Sequence, residues 1–218
     1  MSYLIRRAAK APALDAGFDS GEWRNCRVLH VGVFRPEGSG HRPETRLRLQ
    51  YDRLGLYGLF AVRDRYVRCA AEKFQDRVCR DSCVEFFVQP SSGSGYLNFE
   101  FNASGVMLAQ AHPDTFRPRA VSRPLTAAEV AGVRIFHSLP GRVEPEIAEE
   151  TGYEVGFFLP FALFAATHGA PPPASGTVWR ANVYKCGDDT SHPHWASWRP
   201  VRRLDFHDPD CFGDMEFE

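Results

Sequence analysis

The stretch Tyr96-Leu97-Asn98-Phe99-Glu100-Phe101-Asn102-Ala103 alternates strictly between polar and apolar side chains. Successive residues of a strand point to opposite faces, so Leu97, Phe99, Phe101 and Ala103 share one side and Tyr96, Asn98, Glu100 and Asn102 the other. A strand with one greasy and one polar face belongs to a sheet packed on one side only. Both neighbours fit. Ser82 to Gln89 reads as a strand closed by Pro90 and the turn-rich Ser91-Ser92-Gly93-Ser94-Gly95. Ser104-Gly105 then leads into Val106 to Ala111, and a two-residue Ser-Gly connection is a hairpin signal.

The same period of two extends in both directions. Leu47, Leu49 and Tyr51 point one way while Arg46, Arg48 and Gln50 point the other; beyond Asp52-Arg53, Leu56, Phe60 and Val62 share a face. Tyr66 to Ala71 reads as another strand, Val133 to Leu139 pairs with Tyr153 to Leu159, and Val178 to Lys185 is the last long strand, with Ala196 to Val201 a shorter one. His112 to Pro124 reads as a loop, Thr126 to Glu129 as a helix-start capping box, and Pro160 to Thr167 as one or two helical turns. Roughly ten short strands with few short helices predict an all-β, antiparallel β-sandwich of jelly-roll type. One domain over residues 1–218 is expected.

Composition agrees. Apolar residues make up 44% of the chain and aromatics 13%, with 17 phenylalanines, a content suited to pleated, half-buried surfaces. The 26 Lys and Arg against 27 Asp and Glu leave a net charge of -1, without the basic surplus that a nucleic acid demands. The first residues hold no apolar run of signal-peptide or membrane length, so a cytoplasmic location and no membrane partner are expected. Cys26, Cys69, Cys79, Cys83, Cys186 and Cys211 lack the paired C-x-x-C spacing of a zinc site, and most of them read as buried thiols.

Several blocks resemble one family. Asp81-Ser82-Cys83-Val84-Glu85-Phe86-Phe87-Val88 followed by Tyr96 to Gly105 is similar to the central block of carbohydrate-binding family 9-like proteins, themselves related to the DOMON-like sandwiches. Val178 to Asp188, His194-Trp195-Ala196-Ser197-Trp198, Phe206-His207 and Cys211-Phe212-Gly213 resemble their C-terminal half, and Leu56-Tyr57 with Phe60, Val62 and Asp64 an early strand pair. The resemblance runs from about Leu47 to the end. It implies a sandwich that binds sugar without turnover, in some relatives with stacking tryptophans and structural calcium. Calcium is permitted by the resemblance but not placed by it. A glycoside-degrading enzyme is the partner it suggests.

The candidate binding residues follow from both lines of reading. Tyr96, Asn98, Glu100 and Asn102 offer hydrogen-bonding groups around a ring, and Arg180, Asn182 and Tyr184 repeat the pattern on Val178 to Lys185. The same row also reads as an ordinary solvated face. Arg180 either forks onto sugar hydroxyls or pairs with Glu85 or Glu100. Of Trp195 and Trp198, one is expected to be structural and one accessible, with Trp198 the accessible one. Asp188, Asp189, His192 and His194 carry metal-ligand chemistry, although short His tracts usually face solvent.

Two alternatives stay open. Glu85 and Glu100, facing each other on neighbouring strands, would make a glycoside-active enzyme if their carboxyls flanked one bond. A haem- or metal-binding DOMON-type sandwich would use His or Met, with Met107 on a suitable strand. No G-x-S-x-G elbow, P-loop or dinucleotide fingerprint occurs.

Overall fold

The computed structural model describes residues 2–90, 95–113 and 122–218. In chain order the strands are β1 (Tyr3–Arg7), β2 (Leu29–His30), β3 (Val33–Phe34), β4 (Glu44–Tyr51), β5 (Gly55–Asp64), β6 (Val67–Cys69), β7 (Cys83–Gln89) and β8 (Tyr96–Asn102). There follow β9 (Met107–His112), β10 (Arg123–Pro124), β11 (Arg134–His137), β12 (Val143–Ile147), β13 (Thr151–Pro160), helix α1 (Phe161–His168), β14 (Val178–Cys186), β15 (Trp195–Ser197) and β16 (Gly213–Phe217). Most of the expected tight turn after Pro90, residues 91–94, and much of the loop expected between His112 and Pro124, residues 114–121, lie outside the described residues.

One layer runs β10-β9-β8-β7-β14-β16-β1 and the other β1-β4-β5-β13-β11, so β1 belongs to both. Tyr3, Leu4 and Ile5 pair with β16, and Arg6 and Arg7 with β4. Both pairings are parallel, which corrects the expectation of a purely antiparallel sandwich: the chain's first strand lies along the seam between its layers. The remaining ladders are antiparallel, including the expected β8–β9 hairpin and the β11–β13 pair.

The two-residue periodicity appears directly in the packing. Val84, Phe86, Val88, Leu97, Phe99 and Phe101 from one layer meet Leu47, Leu49, Leu56, Phe60, Val62, Val155, Phe157 and Leu159 from the other in one buried cluster. The Phe157 ring is sandwiched there, 5.4 Å from Phe101 and 5.6 Å from Phe86, both stacked. Aromatic pairs of this kind contribute about 0.5–1.5 kcal/mol beyond the area they bury. Met107 also faces this core.

The ends of the sandwich are closed differently. At one end α1, terminated by Gly169 in the left-handed region (φ 62°), places Phe161 and Phe164 against Trp179, with Phe161 and Trp179 also touching Phe217. At the other, Lys185 turns inward, and its ammonium lies 3.0 Å from Asp64 and 2.7 Å from His194 Nε2. Neither outer face is fully bare. Phe18 and Trp23 cover Tyr57, Leu59, Ala61 and Phe158 on one layer, and Val201 and Phe212 lie on Phe87, Tyr96 and Tyr184 of the other.

The capping box at Thr126 forms without a helix behind it. Thr126 donates its backbone N–H to Glu129 at 2.8 Å and Glu129 returns its own to Thr126 Oγ1 at 3.3 Å, yet the segment continues only as turns.

Candidate functional site

The register of β14, β7 and β8 sets the site. On the outer face it aligns Asn182, Phe87 and Asn98 in one row, Tyr184, Glu85 and Glu100 in the next, and Cys186, Cys83 and Asn102 in a third. Glu85 and Glu100 are therefore direct cross-strand partners, as expected from the sequence. Like charges directly opposite repel, so this pairing works against the sheet when both are ionised.

Above these rows lies a partly open cleft of about 290 Å³. Cys79, Glu85, Phe87, Glu100 and Cys186 line it from below, Asp188 and Trp195 from the loop after β14, and Leu204, Asp205, Phe206 and His207 from the segment before β16. Glu85 is 2% exposed and Glu100 7%. Burial pushes both carboxyls up, Glu85 well above the usual range with the Glu100 charge adding to it. Glu100 reaches about 7: burial dominates, the Asn98 hydrogen bond opposes it and the Asp188 charge reinforces it. Burial also raises Asp188. The Cys186 thiol donates to Glu85 Oε1 at 3.1 Å.

Most of the polar row expected to grip a ligand is engaged within the protein. The anticipated wet exterior is closed: Tyr96, Asn98, Asn102, Asn182 and Tyr184 are all buried, and the segment after Ser197 packs on Tyr96, Asn182 and Tyr184. Asn98 donates to Glu100 Oε1 at 2.8 Å and takes a bond at 2.7 Å from His112 Nε2, fixing the amide's orientation and the carboxylate with it. Tyr96 stacks on His112 at 4.3 Å and holds His207 Nδ1 at 2.8 Å. Asn102 organises the β8–β9 turn, accepting from Ser104 and Val106 and donating to Asp81. These residues lie behind the cleft's lining.

Arg180 pairs with neither Glu85 nor Glu100; its guanidinium donates to the carbonyls of Phe212 at 2.9 Å and Asp210 at 3.4 Å. Asn182 donates to the carbonyls of Arg199 and Cys211 and accepts from the Arg199 N–H. Tyr184 donates to the Phe206 carbonyl at 3.0 Å and stacks on that ring at 4.0 Å, setting one wall of the cleft. Of the tryptophans, Trp195 lines the cleft, its indole N–H held by Asp188 at 2.8 Å. Trp198 sits edge-on to Tyr3 over a separate depression. Both tryptophans are half-buried, and Trp195, expected to be the structural one, is the one that lines this cleft.

Asp188, Asp189, His192 and His194 do not converge. His194 is buried against Lys185, Asp189 pairs with Arg80 at 3.6 Å, and the His192 ring stacks on Tyr66 at 3.6 Å. The six cysteines are free, with Cys26, Cys69, Cys83 and Cys186 buried. Sequence reading missed Phe206 and His207 as cleft residues, although both were visible as family-like positions.

Residues 22–217 match carbohydrate-binding family 9. The chain belongs to that family, and carbohydrate binding on a β-sandwich is its class of activity. A protein from Bacteroides uniformis ATCC 8492, provisionally named carbohydrate-binding, superposes with a TM-score of 0.87 at 26% identity, covering 100% of this chain and 99% of the other. Family 9 modules of Caldicellulosiruptor kristjanssonii, solved with glucose and with cellotriose, give TM-scores of 0.68 and 0.69 at 14% and 13% identity. These cover all of this chain and 96% and 94% of the modules. No curated protein matches the chain.

Proposed function

We propose that the cleft over Glu85 and Glu100 is where this chain holds its sugar. The observation that carries the reading is the juxtaposition of two carboxyl groups below with the Trp195 and Phe206 rings beside them, in a partly open cleft on a family 9 scaffold. Carboxyl groups accept from sugar hydroxyls, and when protonated also donate to them, while aromatic planes take the C–H faces of a pyranose. Glucose and cellotriose, the ligands of the Caldicellulosiruptor modules, are the first compounds to test. Binding of this kind serves a glycoside-degrading enzyme by keeping it on its polysaccharide. Calcium has no part in this reading, since Asp188 and Asp189 are already engaged by Trp195 and Arg80.

An enzymatic role for Glu85 and Glu100 fits the geometry less well. Both project from one sheet face on adjacent strands and so approach a bound sugar from the same side. Glycosidase carboxyls flank the scissile bond instead.

Calorimetric titration with glucose and cellotriose, followed by product analysis, tests the reading. Saturable binding without cleavage is expected, weakened about tenfold or more by Trp195→Ala, since a lost ring contact of about 1.4 kcal/mol has that effect. Trp198→Ala should bind as the parent does. Equal binding by Trp195→Ala, or loss of binding only with Trp198→Ala, would overturn the assignment of the cleft.

A further inference from the structure

Buried acids elsewhere in this protein sit beside a cation. Asp64 has Lys185 at 3.0 Å, Asp81 has Arg68 at 3.2 Å, and Asp208 has Arg202 at 2.7 Å. The cleft breaks that pattern. Among the described residues no ion pair involves Glu85, Glu100 or Asp188, although Glu85 is almost wholly buried. A buried carboxyl with no cation beside it keeps its proton unless a metal ion takes that proton's place. Beside it stand two thiols. Cys83 and Cys186 are direct cross-strand partners on the same outer face, and one ligand atom from each of Cys83, Glu85 and Cys186 lies within 4.8 Å of the other two.

We propose that Cys83, Glu85 and Cys186 bind one thiophilic divalent cation, with Zn(II) the best match, leaving its fourth position open to the cleft. Two sulfurs and one carboxylate oxygen are a donor set for zinc rather than for calcium or magnesium, which take oxygen. Bonds of about 2.3 Å to sulfur and about 2.0–2.2 Å to oxygen place tetrahedral ligand atoms roughly 3.5–4 Å apart, within small side-chain rotations of the present positions. Cys186 and Glu85 line the cleft, so the ion has a way in. On binding, the two thiol protons and the proton that burial keeps on Glu85 leave to solvent, and the metal takes their place. The proposal does not depend on sugar and is tested without it.

The experiment uses the full chain, reduced, stripped of metal and titrated with Co(II) alone. One equivalent should produce a near-ultraviolet thiolate-to-cobalt charge-transfer band with the visible bands of a tetrahedral ion, and one equivalent of Zn(II) should abolish both. Cys83→Ser and Cys186→Ser should each weaken binding roughly 100-fold or more, because losing even an outer-sphere partner costs about 10–100-fold in affinity. Glu85→Gln should weaken binding and keep the thiolate band, while Cys26→Ser leaves both unchanged. If either serine variant fails to fold, peptide mass spectrometry of alkylated parent protein replaces it: Zn(II) should shield Cys186 and spare the labelling of Cys211. No thiolate band, a band that survives both serine variants, or equal alkylation of Cys186 with and without Zn(II) would overturn the site.

Discussion

The Lys185 ammonium lies 3.0 Å from the Asp64 carboxylate with both side chains wholly shielded from solvent. The same nitrogen meets His194 Nε2 at 2.7 Å and the Cys186 carbonyl at 3.0 Å, so the ion pair is backed by two hydrogen-bond partners. His41 completes the group, its Nε2 at 2.6 Å from the other Asp64 oxygen. Removing either partner strands a buried charge. Asp64→Leu and Lys185→Met should each cost about 3–5 kcal/mol, and the double substitution clearly less than their sum. Urea unfolding of the four proteins checks this, and additive losses would contradict the coupling.

His194 ties this cluster to pH. Burial and then the Lys185 charge push its pKa down from 6.5 to about 3. A depressed histidine stays neutral in the fold while the unfolded chain takes up a proton, so stability drains away as pH falls from about 6.5 towards 3. The slope approaches about 1.4 kcal/mol per pH unit for one unmatched proton. His194→Gln keeps an acceptor for Lys185 and should flatten that limb. The difference between the two proteins from pH 6 to about 4 isolates it from the carboxyls.

Glu100 acts in the opposite sense. Its pKa is raised from 4.5 to about 7, so its contribution is favourable at low pH and is lost as pH rises between those values. Glu100→Gln in metal-free protein should therefore be more stable than the parent at pH 8, by an amount of order 1–3 kcal/mol. Below about pH 4.5 the two should match. Thermal melts across that range decide it, and a constant offset would refute the buried titration.

The core prediction concerns a glycine. Phe157 is the cross-strand partner of Gly58, and a Cβ at Gly58 would lie 2.2 Å from the Phe157 ring. Gly58→Ala should cost about 1–3 kcal/mol through overpacking, and Phe157→Leu should recover part of that loss when combined with it. Equilibrium unfolding gives the comparison. No coupling between the two sites would mean that the ring moves aside freely.

Strand identity was legible wherever a strand faces one core. The alternation of Tyr96 to Ala103, of Leu47 to Tyr51 and of Leu56 to Val62 reappears as the buried cluster, and Glu85 opposite Glu100 follows from the β7–β8 pairing. Seams and covers were not legible. Tyr3–Arg7 and Gly213–Phe217 are too short and mixed to announce themselves, and their parallel pairing depends on contacts more than 200 residues apart. Asn98, Asn102 and Asn182 look like ligand groups in one dimension because alternation marks only the face. It cannot show that residues 199–211 engage Asn182, or that Asn98 and Asn102 are taken up by Glu100, His112 and Asp81. Trp195 and Trp198 line different depressions for a similar reason: β15 ends at Ser197, so the alternation of faces stops between them. Cys83 and Cys186 are likewise neighbours only through the β7–β14 register.

The strip from Arg199 to Cys211 hangs from the sheet by side chains: Arg180 and Asn182 hold its backbone, Tyr184 props Phe206 and Tyr96 tethers His207. Because it is attached at pegs and not woven into the ladder, it can be swapped or lengthened without shifting the register of any strand beneath. The wall of the proposed binding cleft is thus separable from the scaffold, and grafting a different strip onto the same pegs is a direct way to reshape that cleft.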